Sequence, residues 1–302
     1  MKRALPLLAL LALLAVPART QPPTGEVPDL RARVAYTRTI LRTTNENDFR
    51  TAMRAYTKVI ADNFHIITVP DELIYDTSAQ LEDALRRGTI EVVAGTAREV
   101  LAVDPALLDT PYFASHRSGA VGSHYVIVVH AQSNIAQLAD LSGCRVAVFD
   151  GPQGCLARPW LEVACAQASL PALPASLREL RLVAKPSQAV LPVFFRQIEA
   201  CITTRESLAV LAELNPQISR QLRIIATSPR LVPVLTALRH GIDPALHARV
   251  IEAITTVDSL PAGRQVLTLF QTEEVHPVDE DTLAGTRQLL ADHARLAARA
   301  KP

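Results

Sequence analysis

Several short runs in this chain put hydroxyls, an amide or a cation where a strand hands over to a helix. The chemistry favoured there is the binding of an oxyanion. Residues 135–154, IAQLADLSGCRVAVFDGPQG, carry the fullest case. A short helix bearing Ile135, Leu138 and Leu141 closes at Gly143, and a strand follows over residues 144–149. A tight turn at Asp150, Gly151 and Pro152 then opens a helix after Gly154. The first amides of a helix have no partner within it, so Gln153, Gly154 and Cys155 would aim N–H groups and a helix dipole at whatever lies above the sheet. Thr43, Thr44 and Asn45 are N-cap residue types and read equally as helix caps and as ligand contacts. Gly95, Thr96, Ala97 and Arg98 form a third loop of this kind, and Thr203, Thr204 and Arg205 a fourth. Arg205 stands at a helix N-terminus, where a cation is disfavoured by about 0.3 kcal/mol or more. An anion bound beside it reverses that sign and could be gripped by both guanidinium arms. The alternative leaves Arg205 in solvent or paired with Glu206 or Glu99. Ser187 and Gln188 cap a further helix near the same edge, and Pro192 requires that helix to begin at Gln188 or later.

Enzyme signatures do not occur. The chain has no GxSxG, GxxxxGK[ST], GxGxxG or HExxH. His124 and His130 share a strand face about 20 Å apart, too far for one metal ion. Gly241 and Pro244 break the segment joining His240 to His247. A Cys155–His pair is the one route left to nucleophilic catalysis, since a thiol at a helix N-terminus has a lowered pKa. The expectation is a protein with no catalytic residues, no metal and no cofactor.

The elements that must position these loops alternate between strand and helix. Residues 33–37, 65–69, 90–94, 124–130, 180–184, 200–203 and 222–226 have strand character. Residues 48–61 carry Phe49, Ala52, Met53, Tyr56, Val59 and Ile60 on one helical face, and residues 244–257 and 279–298 close the chain as amphipathic helices. Further helices read near residues 78–87, 96–103, 188–197 and 206–214. Such alternation implies mostly parallel sheets covered on both faces, with ligands at the strands' C-terminal ends. Two turn-rich stretches, residues 115–123 and 228–233, divide the chain into two sheets. The simplest topology makes lobe one residues 29–120 plus 233–302 and lobe two residues 121–232, joined by a two-segment hinge.

At 302 residues the chain can fill two lobes with real cores. Residues 1–18 read as a cleaved secretory signal: Lys2 and Arg3, an apolar run of about 15 residues, then small residues at Val16 and Ala18. That run falls short of the ~20 residues that span a bilayer. Removing Lys2 and Arg3 from 31 basic residues leaves 29 against 30 acidic ones, a near-neutral balance that argues against nucleic acid and anionic membrane as partners. Cys144, Cys155, Cys165 and Cys201 lack metal-ligand spacing. Cys155 and Cys165 lie roughly 15 Å apart on one helix and cannot bridge each other. Free buried thiols are favoured over a disulfide elsewhere in the set.

Residues 135–154 resemble the LADLxGKRVAFxDPxSxSG segment of the periplasmic phosphate, phosphite and phosphonate substrate-binding proteins of ABC importers. The resemblance runs along nearly the whole mature chain. RVAYTRTILRTTNENDFRTAMRAY is similar to that family's first strand, loop and helix, and Tyr75 with Asp76 to its YDSYEELxxALxxGxVD unit. IEVVAGTAREVL resembles VDLVALSxxEYL, AVLPVFFRQIEACITTRESL resembles AxLxGEVDAAAVDSxxL, and GIDPALHARVIEAI resembles GLDPELRERLRAAL. What the resemblance implies is a two-lobed type II periplasmic-binding-protein fold in the α/β class, with a small anion held between the lobes. It matches Thr96 to a family Ser/Thr and brings in Tyr75 and Tyr125 as aromatic candidates for the cleft wall, though each reads equally as core. Two loops depart from the pattern. Gln153, Gly154 and Cys155 replace a Ser/Thr-rich run, so hydroxyl donors are lost, and Thr204 stands where relatives place an acidic residue.

The leading expectation is therefore an exported, monomeric solute-binding protein that delivers a phosphonate-, phosphite- or phosphate-like oxyanion to a membrane ABC permease from the periplasm. A ligand-sensing partner of a membrane signalling kinase keeps the same fold with a different output. An enzyme on this fold is the third class, and the secretory signal speaks against it.

Overall fold

The structure, a computed structural model, describes residues 30–42, 45–68, 73–117, 119–171, 176–269 and 272–299. Two sheets, each with its own helices, make two lobes. The first lobe opens with β1 (Leu30–Ala32), β2 (Val34–Thr37), α1 (Glu46–Phe64), β3 (Ile66–Thr68), β4 (Ile74–Tyr75), α2 (Ser78–Arg86), β5 (Val92–Thr96), α3 (Ala97–Val100), β6 (Tyr112–Arg117) and β7 (Ala120–Val121). The second contains β8 (Ser123–His130), β9 (Arg145–Phe149), α4 (Ala157–Gln167), β10 (Glu179–Val183), α5 (Pro186–Phe194), β11 (Ala200–Thr204), α6 (Arg205–Leu214), α7 (Gln217–Gln221) and β12 (Leu222–Leu231). The chain returns to the first sheet with β13 (Val234–Leu238) and continues through α8 (Pro244–Thr256), α9 (Pro261–Leu269), β14 (Glu274–Val278) and α10 (Glu280–Arg299).

The first sheet runs β4-β2-β5-β13-β6-β14 with β7 added to β6, and the second β10-β9-β11-β8-β12, while β1 and β3 form a small parallel ribbon. Only β4-β2-β5 and β10-β9-β11 are parallel trios. The strands next to the crossings, β6, β8, β12 and β13, pair antiparallel with their neighbours. Those strands need no crossover helix between them, which is why each parallel core acquires an antiparallel extension.

The crossings are short and packed against each other. Gly122 joins β7 to β8 with φ +76°, and a Cβ there would meet the Leu231 carbonyl oxygen at 2.6 Å, so only glycine fits. The carbonyl of Pro233, on the return segment, accepts from the Ala97 amide at 2.7 Å and from the Cys155 thiol at 3.3 Å, one donor from each lobe. The Val232 amide donates to the fully buried Thr286 hydroxyl of α10 at 2.8 Å.

That last helix spans both lobes. Leu283 sits in the first lobe's core, but Leu289 joins the second lobe's core with Leu290 and Leu296 against it, and His293 pairs with Glu162 of α4 at 2.7 Å. The C-terminal half of α10 therefore packs on lobe two, because its apolar stripe continues past the hinge.

Two local expectations also change. Residues 138–141 and 152–154 are 3-10 turns, so α4 begins at Ala157, two residues beyond Cys155. Helix α5 starts at Pro186 and carries Pro192 in its interior. The carbonyl orphaned by the missing N–H belongs to Gln188, an exposed position where water can serve it.

Candidate functional site

The C-terminal ends of β2, β5, β9 and β11 converge where the lobes meet, and each loop there is tied down by specific bonds. The turn after β2 carries Arg42 across the interface, where Nη1 donates to Asp150 Oδ2 at 2.7 Å. Loss of solvent at the largely buried Asp150 pushes its carboxyl above the usual range, and the attraction of Arg42, Arg158 and Arg98 does not fully offset this. In the first lobe Glu99 collects the Thr39 hydroxyl at 2.7 Å, the Thr96 hydroxyl at 2.6 Å and the Thr96 amide at 3.2 Å.

Two connected spaces lie at this junction. A small pocket of about 30 Å³ is bounded by Ser115, Arg117, Gln153, Thr204, Glu206 and Val232 among others. A much larger cavity of about 1010 Å³ reaches into the first lobe and is closed on the second-lobe side by Phe149, Gln153, Lys185, Ser187 and Ser207. Arg117, at the end of β6, lines both. It is half-buried and makes no ion pair or side-chain hydrogen bond among the described residues. A cation withdrawn partly from water and held in no ion pair is poorly compensated, although Glu206 and Glu273 line the same spaces. Buried oxygens without partners also occur at Thr37 Oγ1 and Thr203 Oγ1 in the strand ends, and at Glu206 Oε2 in the first turn of α6, where the carboxylate shares the small pocket with Arg117.

The residues singled out from sequence divide in two. Gln153 and Ser187 line the large cavity, and Thr204 lines the small pocket. Thr204 is buried and caps α6, accepting from the Ser207 amide at 3.2 Å and donating to its hydroxyl at 2.8 Å. Asn45 caps α1 by accepting from the Asn47 amide at 2.8 Å. Thr96 is committed to Glu99. Tyr75 packs, partly buried, against the first lobe's core. Thr43 and Thr44 lie outside the described residues.

Four more of these residues are engaged elsewhere. Tyr125 is fully buried in the second lobe's core, and its hydroxyl donates to the Gln153 carbonyl at 2.7 Å, so it positions the turn and does not face the cleft. The Gly154 amide is spent on the Gly151 carbonyl at 2.8 Å, and a Cβ on Gly154 would meet the Phe149 carbonyl oxygen at 2.3 Å. The Cys155 thiol is turned onto Pro233, and burial, with Glu99 and Asp150 nearby, pushes its pKa up rather than down. Both effects disfavour the thiolate form there. Arg205 is exposed, donates to the Thr227 hydroxyl at 3.1 Å and lines neither space. All four cysteines are free thiols.

Sequence reasoning missed Arg117, Lys185 and Arg42. Arg117 falls in the stretch 115–123, which reads as a plain linker; a cation placed next to a crossing point was the available signal. It also missed that β14 lies beside β6 and brings His116, Glu274 and His276 together, with ligand atoms within 4.8 Å of one another. Among the described residues this is the one group that could hold a metal ion, and it sits off the cleft, alternating along the strands with the cavity-lining Ser115, Glu273 and Val275.

A family described as ABC transporter, phosphonate, periplasmic substrate-binding protein matches residues 69–283. The chain belongs to that family. Solved structures agree at the level of fold for this phosphonate-family binding protein. A Xanthomonas citri protein solved bound to ATP is 15% identical over 90% of this chain and 99% of its own, with TM-score 0.64. The binding-protein component of an ABC phosphonate transporter from Pseudomonas aeruginosa is 14% identical, covering 88% and 87%, with TM-score 0.58. PhnD1 from Prochlorococcus marinus, in complex with methylphosphonate, is 10% identical, covering 86% and 96%, also at 0.58. No curated protein matches the chain. Among the described residues no helix is long and apolar enough to cross a membrane.

Proposed function

We propose that this protein is exported through its N-terminal signal, captures a small oxyanion between its lobes as a monomer, and delivers it to the membrane permease of an ABC importer. The observation that carries the reading is Arg117: a half-buried cation without an acidic partner, at the mouth of a cavity walled by both lobes. Gln153, Ser187, Ser207 and Lys185 bring hydrogen-bond donors and a second cation to the same space from the second lobe. A ligand touching Arg117 on one side and those donors on the other favours the closed arrangement over the open one, which is the requirement for ligand-driven closure. Hinge motion falls on the two crossings at Gly122 and at Val232 and Pro233. The Gln153 to Cys155 turn, poorer in hydroxyls than in relatives, leaves the head-group contacts to Arg117 and the second-lobe donors.

The test is thermal unfolding with phosphate, phosphite, methylphosphonate, methylsulfonate and acetate against uncharged solutes. At 100 times its dissociation constant a ligand stabilises by about 2.7 kcal/mol. A rise with an anion supports the reading, and a rise with an uncharged solute alone removes it.

A further inference from the structure

The first lobe's sheet is sealed on one face and open on the other. Ala35, Val93, Leu235 and Ala237 point to the sealed face and are fully buried. Their neighbours Val34, Ala94, Val234 and Thr236 alternate to the other face, where they are only partly buried and line the large cavity. Across from them stand Phe49, Met53 and Ile60 of α1 and Val250, Ala253 and Ile254 of α8. At about 1010 Å³ the space matches the upper end of drug-sized ligand pockets, ~300–1,000 Å³. A bare oxyanion, the size of about three waters at ~30 Å³ each, would take up about a tenth of it.

The chamber also holds polar handles. Tyr36 is 6% exposed and rests edge-on against Phe49 at 5.1 Å, with its hydroxyl unpartnered among the described residues. Tyr56 approaches it closely enough to influence its ionisation. Both rings line the cavity, as does Thr68, whose buried hydroxyl oxygen has no partner either. A buried hydroxyl without a partner, as at Thr68, is unfavourable, and with the Tyr36 and Tyr56 rings on the same wall it points to a ligand that brings a polar atom to this space.

We propose that the captured solute is amphipathic, an anion whose alkyl or aryl body enters the first-lobe chamber while its head group meets Arg117 and the second-lobe donors. This rests on reading the cleft as an anion site. A bonding acceptor part-way along the body, such as an ether or carbonyl oxygen, would meet the hydroxyls of Tyr36 and Tyr56.

Calorimetric titration of the mature protein with methyl-, butyl- and octylphosphonate, and with octanol, tests it. Each methylene entering the chamber should tighten binding about four-fold. Ala94→Leu on the sheet side and Met53→Trp on the helix side narrow the chamber independently, and either should collapse the ratio of octyl to methyl affinity. Methylphosphonate binding with no gain along the series overturns the chamber and leaves the anion reading intact. Octanol binding that the narrowing variants weaken, without any phosphonate binding, overturns the anion reading and upholds the chamber. Neither class binding overturns both.

Discussion

Replacing Asp150 by Asn should not destabilise this protein, although Asp150 makes an ion pair between the lobes. The pair to Arg42 spans 2.7 Å, but the Arg42 side chain is 54% exposed while Asp150 is 22% exposed. A pair with one arm in solvent contributes roughly 0.2–1 kcal/mol. Burial of the carboxylate opposes it and wins, since the Asp150 pKa lies above its ordinary value. A carboxyl with a raised folded-state pKa contributes stability that is fully present below its unfolded value, about pH 3.9, and is lost as pH rises through the folded value. At pH 7, Asp150→Asn therefore removes a desolvation cost and keeps an amide oxygen for Arg42 to donate to. Arg42→Ala does the reverse, leaving the carboxylate buried and unpaired. It should cost about 1 kcal/mol, or about 2–4 °C in Tm, and less at high salt because half of Arg42 faces solvent. Calorimetric Tm values from pH 4 to 7.5 decide the matter. Asp150→Asn should match or exceed wild type at pH 7 and lose that advantage toward pH 4. A larger drop for Asp150→Asn than for Arg42→Ala at pH 7 would show that the ion pair outweighs desolvation.

Three further expectations follow from the packing. Burial raises the pKa of all four thiols, so an aromatic disulfide reagent at pH 8 should label none of them in the native state and all four after denaturation; fast native labelling of Cys155 would contradict its place on Pro233. Leu289→Ala in α10 opens a cavity in the second lobe's core and should cost about 2–5 kcal/mol, whereas a change under 0.5 kcal/mol would mean that the end of α10 is detached. Gly154→Ala forces a Cβ onto the Phe149 carbonyl and should cost about 1–3 kcal/mol while shifting Gln153; an unchanged Tm would show that the turn yields freely.

The architecture was readable because it is written in local pattern. The unbroken apolar run along residues 125–129, the closing Gly143 and the turn-rich stretches at 115–123 and 228–233 each follow from nearest-neighbour chemistry, and the chain passes from one sheet to the other at those stretches. What sequence could not give was the direction of side chains once strands pair. Arg205 looked placed for an anion at a helix N-terminus, but β12 brings Thr227 within reach and takes its guanidinium. Tyr125 looked like a cleft wall, but β8 is an interior strand, paired on both edges and buried on both faces through residues 125–130. Arg117 went unnoticed because its role depends on β6 ending at the crossing, and β6 itself gave no strong period. The chamber was invisible for the same reason: Tyr36, Phe49 and Met53 read as ordinary core, and only the packing of α1 and α8 against the sheet leaves space between them.

The central claim, that an anionic solute sits between the lobes against Arg117, is tested most directly on what the protein carries from its own host. Native mass spectrometry of protein purified from the exported compartment gives the mass of the retained ligand, and phosphorus NMR of the denatured extract gives its head-group chemistry. The account predicts a stoichiometric anionic adduct carrying a phosphorus oxyanion on an apolar body, retained by wild type and lost in Arg117→Ala. A neutral adduct, or one retained equally by Arg117→Ala, would contradict it.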